Sequence, residues 1–237
     1  MTTNHDTDIS DSQQCESSAP QSIQEFPIRR AKIGQGTVIK RALPSRHKRM
    51  IGAWCFLDHA GPVHFPQGDG LDVGPHPHIG LQTFTWMIEG TIMHTDSLGT
   101  KQLIRPYQVN LMTAGHGISH TEVAPEHETK MHAAQLWIAL PDEKRNMAPQ
   151  FDHYPNLPHT EQDQIKFTVL VGELLGQQSP VAVHTPGWRR HDCTGRHQNT
   201  YFTESNIRIW FFGIGWSCMD QWPRTHSRQS AGPRIWC

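Results

Sequence analysis

Two short stretches place metal-ligand side chains at alternate positions. In 75-PHPH-78, His76 and His78 stand one residue apart, and in 113-TAGHGISHTE-122, His120 and Glu122 are spaced the same way. Side chains on an extended strand alternate between faces, so each pair would present both of its groups to one side. Two imidazoles on one strand make half of a site for a divalent transition metal. A second strand carrying an imidazole and a carboxylate would complete it, with positions left open for a substrate or oxygen. Fe(II) suits this donor set, and so do Mn, Ni, Cu and Zn. The chain holds 17 histidines among 237 residues, so a lone His-x-His is no more than chance would place there. The second pair raises the signal, because the chain between the pairs is long enough to return one strand beside the other. Gly115 and Gly117 let the backbone turn tightly just before it.

The remaining candidates are weaker. His94 and His116 are near enough in sequence to serve as alternative ligands, or to hold the second ring nitrogen of a ligand. His59, His64, His127 and His132 read as loop or surface residues. No G-x-S-x-G nucleophile turn and no phosphate loop of the G-x-x-x-x-G-K type occurs. Cys55, in 54-WCFLDH-59, reads as a small buried residue rather than a reactive thiol. The five cysteines include no C-x-x-C pair, which argues against a disulfide framework.

The elements that would carry these residues are strands. In 81-LQTFTWMI-88, Phe84, Trp86 and Ile88 fall on one face, and Thr83, Thr85 and Met87 on the other. The stretch 134-AQLWIAL-140 alternates in the same way, setting Ala134, Leu136, Ile138 and Leu140 against Gln135, Trp137 and Ala139. The stretches 103-LIRP-106, 109-VNLM-112 and 165-IKFTVLVG-172 are strand-like, and 96-DSLG-99 is a turn. Pro141-Asp142-Glu143-Lys144-Arg145 predicts one short helix with proline at its start. Many short strands with turns between them predict an all-β sandwich or barrel. A formal net charge of −1 and a pI near 7.0 give no basic surface for nucleic acid. No apolar run reaches the ~18 residues of a membrane helix. The polar, acidic start MTTNHDTDISDSQQCESSAPQ is unlike a signal peptide, so the expected compartment is the cytoplasm.

Taken in order, 46-RHKRMIGAWCFLDHAGP-62, 70-GLDVGPHPHIGLQTFTWMIEGTIMHTDSLG-99, 109-VNLMTAGHGISHTE-122, 135-QLWIALP-141 and 169-VLVGELLGQQSPV-181 resemble the pirins of the cupin superfamily. The resemblance implies a bicupin, two β-barrels in tandem with a metal in the first. It assigns as ligands the two histidines of the HPH motif and the His and Glu of the GI-x-H-x-E motif. These fall on His76, His78, His120 and Glu122. The metal implied is iron. The activity implied for some members is 2,3-dioxygenase cleavage of the flavonol quercetin with oxygen. Glu122 would then also accept the flavonol proton as a catalytic base. Other members resemble regulators that bind a protein partner, a transcription factor or a metabolic enzyme. Two residues depart from the family pattern. Gln82 stands where an acidic residue is common, and Tyr107-Gln108 where Gly-Asp is common. The tyrosine is tolerable only if that turn needs no positive φ.

Four segments are expected. Residues 1–24 form a disordered polar tail, 25–134 a complete N-terminal metal-binding barrel, and 135–186 the start of a C-terminal barrel. Residues 187–237 match nothing in the family. They hold five of the chain's eight tryptophans and three of its five cysteines, with no lysine after Lys166. Such a break is what a shifted reading frame often gives, with a divergent but genuine tail as the alternative, and the expected C-terminal barrel is incomplete. The run 207-IRIWFFGIGW-216 is expected as a strand. A non-enzymatic regulator and a non-functional truncated product are the rival readings.

Overall fold

The computed structural model describes residues 25–162 and 165–184, and the backbone of four strands at 200–204, 207–212, 215–219 and 234–236. Every helix or strand among them is a β-strand. In chain order the first are β1 (Glu25–Pro27), β2 (Arg29–Ile33), β3 (Thr37–Leu43), β4 (Trp54–His64), β5 (Asp72–His78) and β6 (Leu81–Gly90). Next come β7 (Ile92–Asp96), β8 (Lys101–Ile104), β9 (Val109–Thr113), β10 (Ile118–Val123), β11 (Lys130–Ala139) and β12 (Gln150–Tyr154). The last are β13 (His159–Gln162), β14 (Ile165–Val171), β15 (Glu173–Leu174), β16 (Gln177–Gln178), β17 (Thr200–Glu204), β18 (Ile207–Phe212), β19 (Gly215–Met219) and β20 (Arg234–Trp236).

A seven-stranded sheet runs β12-β9-β6-β11-β4-β3-β2, and a four-stranded sheet runs β5-β10-β7-β8. Their strands pair antiparallel throughout. The large sheet is apolar on both sides, because β6 and β11 send alternate residues to opposite faces. Met87 and Ala133 join Ile39, Ala60, Ile92 and Ile104 in a core shared with the small sheet. Phe84, Trp86, Leu136 and Ile138 point the other way, onto Leu157, Leu170, Val171 and Val181. A strand with both faces covered reads as almost continuously buried, as Gln82 through Met87 are. The alternation expected for β6 and β11 is the observed one.

A second seven-stranded sheet runs β1-β20-β17-β18-β19-β14-β13, and among the described residues no sheet closes on itself. The run 207–216, expected as one strand, divides between β18 and β19, which pair antiparallel. The tail expected at 1–24 lies outside the described residues, as do 187–199, 205–206, 213–214, 220–233 and 237 of the segment expected to be atypical. The boundary expected after residue 134 falls inside β11, whose residues on both sides of it pair with β4 and β6.

Three local expectations are corrected. Residues 141–145 make turns rather than a helix, with Lys144 N–H bonded to the Pro141 carbonyl and Met147 N–H to that of Lys144. Five residues are too few to repay helix nucleation without an apolar face to bury. His59 and His132 are buried strand residues rather than surface ones, with their Nε2 atoms 2.7 Å apart. Tyr107 has φ +67°, so its turn does use the left-handed region. Pro106 and Tyr107 occupy the centre of that turn, closed by Gln108 N–H on the Arg105 carbonyl, and type II turns put glycine at the tyrosine's place.

Candidate metal centre

β5 and β10 pair so that His120 lies directly across from His76, and Ile118 across from His78. On its other side β10 pairs with β7, setting His120 beside Asp96 and Glu122 beside His94. The return of β10 next to β5 requires the chain to reverse after β9. Gly115 makes this possible at φ +52°, where an added Cβ would stand 2.0 Å from the Met147 carbonyl oxygen.

The pairing gathers two overlapping triads. One potential ligand atom from each of His76, His78 and His120 lies within 4.8 Å of the others, and His94, His120 and Glu122 form a second such group. The ring centroids of His76 and His120 are 4.4 Å apart, and each is 5.0 Å from that of His78. The four expected ligands are divided between the two triads, which share His120. His94, one of two sequence alternatives, joins them; His116 is exposed and does not.

The rings are prepared to donate lone pairs. His76 Nδ1 donates to the Gly74 carbonyl at 2.9 Å, so Nε2 is the ring nitrogen left to face a metal. Burial, reinforced by the neighbouring imidazoles, lowers the pKa of His78 to about 4 and that of His120 to about 3. Both are neutral at physiological pH. Glu122, 7% exposed, accepts from Gln135 Nε2 at 2.8 Å and from Thr85 Oγ1 at 3.2 Å. Those donors come from β11 and β6, on the face opposite Leu136 and Phe84. Sequence periodicity put Thr85 and Gln135 on that face but gave no sign of what they bind.

A divalent transition metal fits this arrangement on a specific observation. His120 Nε2 is buried and has no hydrogen-bond partner. A buried polar atom left unpaired costs free energy, and a metal ion would satisfy it. The donor set of neutral imidazoles and one carboxylate is the set such ions take.

The surroundings are aromatic. Trp137 meets His78 edge-on at 5.0 Å and stacks on Phe56 at 3.9 Å, with the Arg41 guanidinium 4.4 Å from the Phe56 ring centre. Arg41 in turn grips Asp58 through two bonds of 2.6 and 2.7 Å. Gln82, where the family pattern is acidic, lies outside the ligand cluster. It is fully buried, bonding Thr113 Oγ1 at 2.9 Å and taking the His184 amide at 2.8 Å. Cys55 is only half-buried; burial raises its thiol pKa, and the thiol contacts the Trp137 carbonyl.

Comparisons with known proteins agree with this architecture. The sequence model of the family described as Pirin matches residues 36–138. A Pseudomonas aeruginosa protein named "putative quercetin 2,3-dioxygenase" is 57% identical over 179 residues, which span 76% of this chain and 57% of that protein. A "pirin-like protein" of Caulobacter vibrioides is 43% identical over 169 residues, spanning 68% of this chain and 58% of the relative. The chain thus spans under two thirds of the length of these curated relatives. A crystal structure of quercetin 2,3-dioxygenase from Acinetobacter baumannii superposes with a TM-score of 0.73 at 56% identity, covering 90% of this chain and 77% of that one. On the strength of that match, the ordered motifs and the all-β architecture, the chain belongs to the pirin family of cupins.

Proposed function

We propose that the chain is a metal-dependent oxygenase acting on a flavonol, in the manner of a quercetin 2,3-dioxygenase. His76, His78, His120 and Glu122 hold the metal, and Fe(II) is the ion proposed. The observation that carries this reading is the buried, unpartnered Nε2 of His120 among two further imidazoles and a carboxylate. When bound, the metal supplies a Lewis-acid centre that acidifies a coordinated hydroxyl and brings oxygen beside it.

The chain's own groups do the rest. Glu122 takes the flavonol proton as general base, at Oε1, whose bond from Thr85 is the longer of its two. Trp137, backed by Phe56, sets an aromatic ring beside His78, the kind of group that packs against a planar aromatic ligand. The names of the P. aeruginosa relative and the A. baumannii structure support the substrate class. The cytoplasm is the proposed compartment; no helix of the described residues is long and apolar enough to cross a membrane.

The test is metal analysis of the purified chain together with oxygen uptake on quercetin, for wild type and His76→Ala. Stoichiometric iron and oxygen-dependent quercetin loss are expected in the wild type, and His76→Ala should lose both. Metal without turnover would favour a metal-binding regulator with a protein partner. Turnover unchanged in His76→Ala would sink the mechanism.

A further inference from the structure

Behind His120 runs a chain of hydrogen bonds. His120 Nδ1 lies 3.3 Å from His94 Nδ1, and His94 Nε2 lies 3.0 Å from Asp96 Oδ2. The other oxygen of Asp96 accepts the Leu98 and Thr100 amides at 2.9 and 3.0 Å. All three side chains are buried: His120 is 2%, His94 3% and Asp96 8% exposed. The two histidines reach each other from adjacent strands, and His94 is held flat against Phe151 at 4.4 Å.

The proton positions follow from the chemistry of each group. A carboxylate ringed by donors only accepts, so the proton between His94 and Asp96 sits on His94 Nε2. A neutral His94 then presents a lone pair at Nδ1. His120 must donate to it from its own Nδ1, and a neutral imidazole with its proton there is bare at Nε2. That Nε2 is the buried atom without a partner. The alternative, a charged His94 donating to His120, would put an N–H on the buried Nε2 with nothing to accept it.

We propose that Asp96 and His94 are positioning residues that lock His120 in the tautomer able to bind a metal through Nε2. The inference deepens the metal-centre reading above and rests on it for its purpose, though not for its proton geometry. The carboxylate acts through one imidazole on the next, one link longer than the usual pairing of a ligand histidine with a carboxylate. It also separates His94 from the ligands, although His94 lies in one of the two triads.

The proton geometry is tested on the full-length chain, stripped of metal with chelator and labelled with 15N, by long-range 1H–15N spectra at neutral pH. His120 is expected to carry its proton on Nδ1 and His94 on Nε2. A proton on His120 Nε2, or two protons on His94, would overturn the proposal. Co(II) affinity gives the second readout. Asp96→Asn offers an amide donor to His94, reverses the polarity of the chain and should weaken Co(II) binding ~10–100-fold. In the same variant the His120 proton should move to Nε2. His94→Gln keeps an oxygen acceptor for His120 and should stay within a few-fold of wild type. A His94→Gln variant that loses Co(II) would make His94 a ligand and end the positioning role. Should Asp96→Asn not fold, the wild-type spectrum and His94→Gln still decide. If the wild type binds no Co(II), the metal-centre reading fails, while the wild-type tautomers still test this inference.

Discussion

Glu122 accepts one hydrogen bond on each oxygen, from Thr85 and from Gln135, before any cation is present. Those bonds hold the carboxylate in one orientation in a nearly dry place. Replacing Gln135 with leucine removes the shorter of the two. A hydrogen bond to a charged group contributes ~1.5–3 kcal/mol, so the Gln135→Leu chain should lose about that much stability to urea in the presence of chelator. A bound divalent ion would offset the uncompensated charge. The loss should therefore shrink when metal is added, and the variant should gain more from metal than wild type does. An equal loss with and without metal would mean that Glu122 does not face the ion.

At the scale of elements, the turn between β8 and β9 is where sequence and backbone disagree. Tyr107 N–H bonds the Met87 carbonyl at 2.7 Å and Met87 N–H bonds the Gln108 carbonyl at 3.1 Å, so the turn is pinned to β6. Gln108 adds a side-chain acceptor for the Arg105 amide at 2.9 Å. These bonds hold Tyr107 at φ +67° although its side chain, 54% exposed, gains little from being there. A left-handed conformation costs a non-glycine residue ~1–2 kcal/mol, and the greater unfolded-state freedom of glycine returns ~0.5–1. Tyr107→Gly should accordingly stabilise the chain by ~0.5–1 kcal/mol. Thermal unfolding would read this as a rise of a few degrees; a fall would show that the ring packs against something of value. β6 itself lies beyond such local chemistry. Its two faces feed different cores, and the same strand that buries Trp86 on one side delivers Thr85 to Glu122 on the other.

Across the whole molecule, buried neutral histidines couple stability to pH. Burial, with help from His132 and Lys40, lowers the pKa of His59 to about 3, and His78 and His120 are lowered to about 4 and about 3. The unfolded chain takes up protons on these residues from about pH 6.5 downward, while the folded chain does not. Their stabilisation is complete above that pH and is lost progressively as pH falls toward 3–4. With metal chelated, Tm should be level from about pH 8 to 6.5 and then decline. A level Tm down to about pH 5 would mean that these histidines are open to water.

The site was legible in the sequence because its signal is local. Period-two spacing puts His76 with His78, and His120 with Glu122, on common faces whatever the rest of the chain does, and the same rule separated Phe84 and Trp86 from Thr85 and Met87. Spacing could not say which strands lie side by side. Only the pairing of β10 with both β5 and β7 set His120 between His76 and Asp96 and brought in His94, and only the packing of that sheet on the large one brought Thr85 and Gln135 to Glu122. Burial of His59 and His132 was hidden for a related reason: a polar side chain looks like a surface residue until a partner from a distant strand satisfies it. What the sequence determined by itself is the all-β character and the identity of the candidate ligands, both fixed by short-range alternation and motif. What only the tertiary structure decided is the ring of hydrogen bonds that orients those ligands. The bonds of Glu122 with Thr85 and Gln135, and of His120 with His94, join residues 13 to 37 positions apart, and a contact of that kind exists only once the sheets have formed.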